Sequence, residues 1–351
     1  MEESTKSFLK ALGKTIFDAS KEIAPVVATA AIYNKVFGHR IETPKALTFY
    51  MEDFPSLFRT KFNFNSKDKN KLVGYMYFYL GVVPKAVIVF AHGFGGGGQR
   101  SYMDVIDHLA ALGYAVFAYD ATANDESEGD ELKGFPQQTK DLQAAIKFVR
   151  TLKYYKDLPM LLFGHSMGAY AVSCVLNYVP DVKGVIAVSG FNKSSEIIKQ
   201  HANEFGEIPS NNILSTIEDY EKSVFGKYAK VDAISGFKNT RAKVLIIHSE
   251  DDKTIPISSG YNLYYKEFRN SPRFTFIKLE NSGHGTVFYS KEGVEYANHY
   301  YQEYKEFVKD NKATNDQIDW FVKTHLDRYR YASLIDIDLF DKIDKFIKKC
   351  I

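Results

Sequence analysis

Between the apolar run 158–163 and the small-residue helical pattern 169–176 stands Gly164-His165-Ser166-Met167-Gly168. A strand that turns into a helix within five residues brings the positions two before and two after the central one into collision, so both must be glycine. No other stretch constrains the fold as much. It requires a strand and a helix packed against each other, with Ser166 held at the tip between them. Gly-x-Ser-x-Gly also occurs in ordinary loops, and the strand-turn-helix context is what separates the two readings.

Apolar strand-like runs at 72–80, 86–91, 114–120, 158–163, 182–189, 243–248 and 274–279 alternate with helical patterns. That alternation predicts a mainly parallel sheet covered on both faces. Ligands of such sheets bind at the carboxyl ends of the strands, which is where Ser166 falls.

A serine hydroxyl is a weak nucleophile and needs a base, a group that orients the base, and donors for the oxyanion. Of the nine histidines, His284 is singled out by its glycine-flanked loop, Asn281-Ser282-Gly283-His284-Gly285, directly after the run 274–279. His165 lies inside the turn and His92 and His248 close apolar strands. His108, His299 and His325 fall in helical patterns, and His39 and His201 have no small-residue turn around them. The acid is expected between serine and histidine in chain order. The run 243–248 leads into Ser249-Glu250-Asp251-Asp252, from which Asp252 is chosen, with Asp251 in reserve and Glu250 third. The oxyanion donors are expected to be backbone N–H groups, from Met167 after the nucleophile and from Phe94 in the glycine-rich stretch His92 to Gly98. A phosphate-binding loop would also use glycines, but the Gly-Lys-Ser/Thr ending is absent.

With Ser166, Asp252, His284 and the His92-Gly93 turn in place, the chain resembles the alpha/beta-hydrolase superfamily over roughly residues 70–310. Within it, the chain is similar to the monoglyceride-lipase and serine-aminopeptidase-like branch. The resemblance implies an α/β fold, the alpha/beta-hydrolase fold, with a mainly parallel sheet, helices on both faces and a helical cap insertion. It also implies hydrolysis through an acyl-enzyme, with Ser166 as nucleophile, His284 as base then acid, Asp252 as its orienter, and Phe94 and Met167 as donors. One departure stands out. Where the family shows Asp-x-x-Gly-x-Gly-x-Ser, this chain reads Asp120-Ala121-Thr122-Ala123-Asn124-Asp125-Glu126-Ser127, so Ala123 and Asp125 replace both glycines. A different loop path is therefore expected there.

At 351 residues and 45% hydrophobic content, the chain can fill one large core with additions. The expected organisation is an N-terminal helical extension over 1–60, the hydrolase domain over 61–315 with a cap insertion at about 191–238, and a C-terminal helical extension over 316–351. The cap is read from helical segments such as 211–222 and from Phe205, Ile208, Tyr220 and Phe225; the C-terminal part carries the stripe Leu339, Ile343, Phe346 and Ile347. A formal charge of +2, from 45 basic and 43 acidic residues without long runs, argues against nucleic acid as partner. Two cysteines, Cys174 and Cys350, make no framework for disulfides or zinc, which suits a reducing, cytoplasmic setting. Near the N-terminus Phe8, Leu12, Ile16 and Ile23 share a helical face opposite Lys6, Lys10, Lys14 and Lys21. Such a helix either packs on its own protein or lies on an anionic membrane surface.

The functional expectation is a serine esterase of lipase-like type, free of cofactor and metal, acting on a small ester with an apolar acyl or aryl part. An aminopeptidase or other amide or thioester hydrolase is the alternative, and a hydrolase-fold binding protein without turnover the third reading.

Overall fold

The computed structural model describes residues 23–202, 213–309 and 313–351. Eight strands form one sheet: β1 (Leu57–Asn65), β2 (Lys71–Tyr79), β3 (Val87–Ala91), β4 (Ala115–Tyr119), β5 (Met160–His165), β6 (Gly184–Val188), β7 (Lys243–Ser249) and β8 (Phe274–Leu279). Their order is β1-β2-β4-β3-β5-β6-β7-β8. From β4 and β3 to β8 all neighbours are parallel, whereas β1 with β2 and β2 with β4 are antiparallel. The central strands are buried along their whole length, which is why they read as unbroken apolar runs.

The helices are α1 (Ile23–Phe37), α2 (Met103–Ala111), α3 (Pro136–Val149), α4 (Met167–Cys174), α5 (Ser194–Ala202), α6 (Ile213–Phe225), α7 (Ala233–Lys238), α8 (Tyr261–Phe268), α9 (Lys291–Val308), α10 (Asn315–His325), α11 (Arg328–Ser333) and α12 (Ile337–Cys350). Successive side chains of a strand point to opposite faces, and each face has its own apolar layer. On one, Phe90, Phe163, Ile186 and Leu245 meet Phe340, Ile343 and Ile347 of α12. On the other, Val89, Leu162, Val185 and Ile246 lie with Leu142 and Ala145 of α3 and Val172 of α4.

All seven expected strands are present, together with an eighth. Of the segment expected as a helical extension over 1–60, Ile23–Phe37 is helical, 41–53 holds two short 3-10 turns and the isolated bridge of Ile41, and Leu57–Asn65 is β1. β1 is an edge strand with only Leu57 and Phe64 buried, and it is held by pairing along its full length with β2 rather than by an apolar run. The C-terminal part, expected as a helical extension, holds three helices, α10, α11 and α12. Its predicted stripe, Leu339, Ile343, Phe346 and Ile347, is buried.

Between β6 and β7 the chain runs through α5, α6 and α7. Ile197 and Ile198 of α5 and Ile217 of α6 join Tyr33 and Phe37 of α1 and Met167, Tyr170 and Cys174 of α4 in a third apolar cluster, with Phe94 packed against it. Of the residues read as lining this insertion, Phe225 is buried and Tyr220 half-buried, while Phe205 and Ile208 lie outside the described residues. Phe8, Leu12 and Ile16 and the four lysines opposite them are outside as well, as is the side chain of Ile23. Among the described residues no helix is long and apolar enough to cross a membrane.

Candidate active site

β5 ends at His165, and Ser166 follows with φ 55° and ψ −118°, a left-handed conformation that non-glycine residues rarely hold. Close approach on both sides enforces it. A Cβ on Gly164 would lie 2.2 Å from the Gly168 carbonyl oxygen, and one on Gly168 would lie 2.0 Å from the Ala91 carbonyl oxygen. The serine is fastened to the neighbouring strand by its own N–H, which donates to Val188 O at 2.9 Å. Only 7% of Ser166 is exposed.

His284 reaches this serine from the loop after β8. Its Nε2 lies 2.9 Å from Ser166 Oγ, and its Nδ1 lies 2.7 Å from Asp252 Oδ2. An ionised carboxylate can only accept, so Nδ1 carries the proton of the neutral ring and Nε2 is left to accept from the serine hydroxyl. Asp252 sits in the turn after β7, its side chain fully buried. Its Oδ1 accepts from Thr254 N–H at 3.0 Å and Ile255 N–H at 2.8 Å. Burial pushes this carboxyl up, but hydrogen bonds from His248, His284 and the Ile255 N–H outweigh that and hold it well below the usual carboxylate range.

The other two acids of the run do different things. Asp251 accepts from Ser249 Oγ at 2.5 Å and from Gly283 N–H at 3.1 Å, tying the histidine loop to β7. Glu250 is ion-paired with Lys278.

Two histidines set aside on position touch these residues. Nε2 of His248 lies 2.8 Å from Ile255 O, to which it donates, and 3.3 Å from Asp252 Oδ2. His165 has its Nδ1 2.8 Å from the Tyr102 hydroxyl and donates from Nε2 to the His284 carbonyl at 3.1 Å. Burial, followed by the nearby His284, brings its pKa down to about 3, so it stays neutral. Position could have flagged both, since His165 adjoins Ser166 and His248 lies on the strand that leads to Asp252.

Phe94 follows β3 in the glycine-rich turn, and Met167 is the first residue of α4. Among the described residues neither N–H has an acceptor. The two come from neighbouring strand ends, because β3 pairs with β5 up to Ala91 opposite Gly164. His92 braces the turn, donating from Nδ1 to Gly93 O at 2.8 Å and accepting from Ala121 N–H at Nε2 at 3.0 Å.

The two glycine replacements leave a clear mark. Ala123 has φ 61° and Asp125 φ 37°, so both keep a left-handed backbone that glycine adopts freely. Among the described residues no group of three or more His, Cys, Asp or Glu is arranged to hold a metal ion.

The family model described as serine aminopeptidase, S33 matches residues 83–216. A monoglyceride lipase homolog of Monkeypox virus is 33% identical over 89 residues, covering 24% of this chain and 31% of that protein. Rat monoglyceride lipase is 32% identical over 109 residues, 30% of this chain and 35% of its own length. The matched stretches thus span about a third of these relatives. Among solved structures, an esterase of Pyrococcus furiosus covers 77% of this chain and 97% of its own at a TM-score of 0.55 and 17% identity. At that identity the likeness speaks for the fold alone.

Proposed function

This chain belongs to the alpha/beta-hydrolase superfamily and resembles within it the branch of monoglyceride lipases and serine aminopeptidases, and from that premise we propose that it is a serine hydrolase cleaving a carboxylic ester. One observation carries the reading: a hydroxyl, an imidazole and a buried carboxylate stand in a continuous hydrogen-bonded line, at 2.9 and 2.7 Å.

In this mechanism Ser166 Oγ attacks the ester carbonyl carbon while His284 Nε2 takes its proton. The carbonyl oxygen becomes an oxyanion, which accepts hydrogen bonds from the Phe94 and Met167 N–H groups. His284 returns the proton to the departing alcohol, leaving an acyl group on Ser166. Water then repeats the sequence through the same imidazole and releases the acid. Asp252 holds the ring in the required tautomer and stabilises the imidazolium of each step. Removing one oxyanion donor costs about 10²–10³ in rate in enzymes of this kind.

An apolar acyl or aryl part is supported by the cluster of Ile197, Ile198, Ile217 and Tyr170 beside Met167 and Phe94. In this reading residues 191–238 are the cap, 61–315 the catalytic domain, and the flanking segments its extensions. The family-model match favours amide cleavage as a second reading. An amino-terminal amide substrate would need a carboxylate beside the cap to hold its ammonium. Glu218 is ion-paired with Lys193 at 2.5 Å, Glu196 is exposed, and Glu204 and Glu207 lie outside the described residues. A reducing, cytoplasmic setting agrees with Cys174 and Cys350 being free. Contact with a membrane surface rests on the basic N-terminal pattern alone.

The test is covalent labelling with a fluorophosphonate, together with turnover of p-nitrophenyl esters and amino-acid anilides. Labelling is expected in the parent chain and absent in Ser166→Ala and His284→Ala, with ester turnover reduced by about 10⁶ in the serine variant. A parent chain that neither labels nor turns over esters would leave only a binding protein, and a preference for anilides would move the reaction to amides.

A further inference from the structure

The turn that carries Phe94 is followed by four glycines, Gly95 to Gly98, of which Gly95 and Gly97 have φ of 82° and 76°. Such a run has the largest backbone freedom a chain can have, and at Gly95 nothing lies within 4 Å of where a Cβ would stand. An oxyanion donor is useful only when it is held in place before the charge forms. Something outside the turn has to hold it.

The holding groups come from residues 40–43 and from the loop with the two glycine replacements. Thr43 donates to the Asp125 carboxylate twice, from its N–H to Oδ1 and from its hydroxyl to Oδ2, both at 2.6 Å. Gly98 N–H donates to Thr43 Oγ1 at 3.1 Å and to Asp125 Oδ2 at 3.2 Å. Gly97 is pressed against the same threonine, where an added Cβ would lie 2.2 Å from Thr43 Oγ1. Arg40 closes the arrangement, its guanidinium donating to the carbonyls of Asp125 at 2.6 Å, Ser127 at 2.9 Å and Gly129 at 2.7 Å. Ile41 pairs with Asn124 as an isolated parallel bridge. Upstream, the Phe37 ring packs on the Phe94 ring at 5.3 Å.

We propose that Thr43 and Asp125 are positioning residues for the reaction: they hold the glycine-rich turn, and with it the Phe94 N–H, in register with Ser166. The inference rests on the serine-hydrolase reading above. It also accounts for an aspartate in a left-handed conformation where glycine would be strain-free, because glycine there has no carboxylate to gather the Thr43 and Gly98 donors.

The experiment uses the full chain with a p-nitrophenyl ester and a trifluoromethyl ketone, which forms a tetrahedral adduct whose oxygen needs the same donors. Thr43→Val is nearly isosteric and removes only the hydroxyl; Asp125→Gly restores the family residue and removes the carboxylate. Both are expected to lower kcat by about tenfold or more with KM within twofold, and to weaken the ketone by the same factor. Thr43→Ser keeps the hydroxyl and is expected to stay near the parent. Melting temperatures show that each variant is folded. Folded Thr43→Val and Asp125→Gly with parent-like kcat and ketone affinity, or a change in KM alone, would overturn the inference while leaving the serine-hydrolase reading intact. A parent chain without Ser166-dependent turnover would overturn both.

Discussion

The Gly164–Gly168 turn and the N-terminal segment meet around the same serine but are held by different physics. At the turn the deciding contacts are steric. Gly164 meets the Gly168 carbonyl within the same five residues, and Gly168 meets the Ala91 carbonyl at the end of β3, both backbones too close for any side chain. The N-terminal segment reaches the site through side chains whose partners are far along the chain: Thr43 bonds Asp125, 82 residues on, and the Tyr33 hydroxyl bonds Glu221, 188 residues on, at 2.7 Å. The first region is constrained by sterics and dictates its own sequence. The second is constrained by pairing, so either partner alone looks like an ordinary polar residue.

The acid run gives the largest contrast within the chemistry. In Asp252→Asn the amide oxygen can still accept from the Thr254 and Ile255 N–H groups, which turns the NH₂ toward His284. That forces the ring to carry its proton on Nε2, where it cannot accept from the serine. A loss of about 10⁴ in kcat is expected, against a change of a few-fold in Asp251→Asn, whose residue only ties down the loop. Steady-state ester kinetics on the two variants decide it. The reverse ranking would move the acid one residue upstream.

Glu221 tests the other region through pH. It lies on α6, buried against α1 and α5, accepting from the Tyr33 hydroxyl and from Ser194 Oγ, with the charges of Glu218 and Lys193 acting on it. Burial first, and then the Glu218 charge, push its carboxyl up from 4.5 to about 7; the hydrogen bonds and Lys193 only partly oppose this. The folded state therefore holds its proton more tightly than the unfolded chain. Its contribution to stability is complete below about pH 4.5 and is lost as the pH rises through about 7. The loss has an upper bound of about 3 kcal/mol. Glu221→Gln carries no such charge, and urea unfolding is expected to find it close to the parent at pH 5 and more stable at pH 8. Asp104, Asp120 and Asp141 are also raised by burial, so the informative quantity is the difference between variant and parent. A variant that gains nothing at pH 8 would show that Glu221 is not a buried charge there.

The same division explains what the sequence made legible. The strands β3 to β7 announced themselves because burial on both faces demands unbroken apolar runs, whereas β8 is an edge strand with exposed positions; Ser166, Asp252 and His284 were singled out because each follows one of these parallel strands. β1 did not, since an edge strand with two buried residues draws its hold from backbone pairing. His248 and His165 were hidden for a related reason. Their contacts with Asp252 and the His284 backbone are made across strand ends, and no local pattern announces such contacts. Ala123 and Asp125 were visible as replacements, but their left-handed backbone was not, because it is imposed by partners such as Arg40 and Thr43 that no local pattern links to them.

The N-terminal segment itself divides, and Tyr33→Phe is the smallest change that shows it. The ring keeps its packing against Tyr220 and Phe37, at 4.5 and 5.4 Å, and only the hydroxyl bond to Glu221 is lost. At pH 5, where that carboxyl is protonated, one such hydrogen bond is worth about 1 kcal/mol. Urea unfolding should show that loss, while kcat for an ester stays within twofold of the parent, because the Phe37 ring still lies on Phe94 and the Thr43 contacts are untouched. Helix α1 would then serve stability and residues 40–43 the oxyanion turn. A tenfold fall in kcat from Tyr33→Phe would instead mean that the two halves of the segment act as one unit, with the helix transmitting its position to the turn through Phe37.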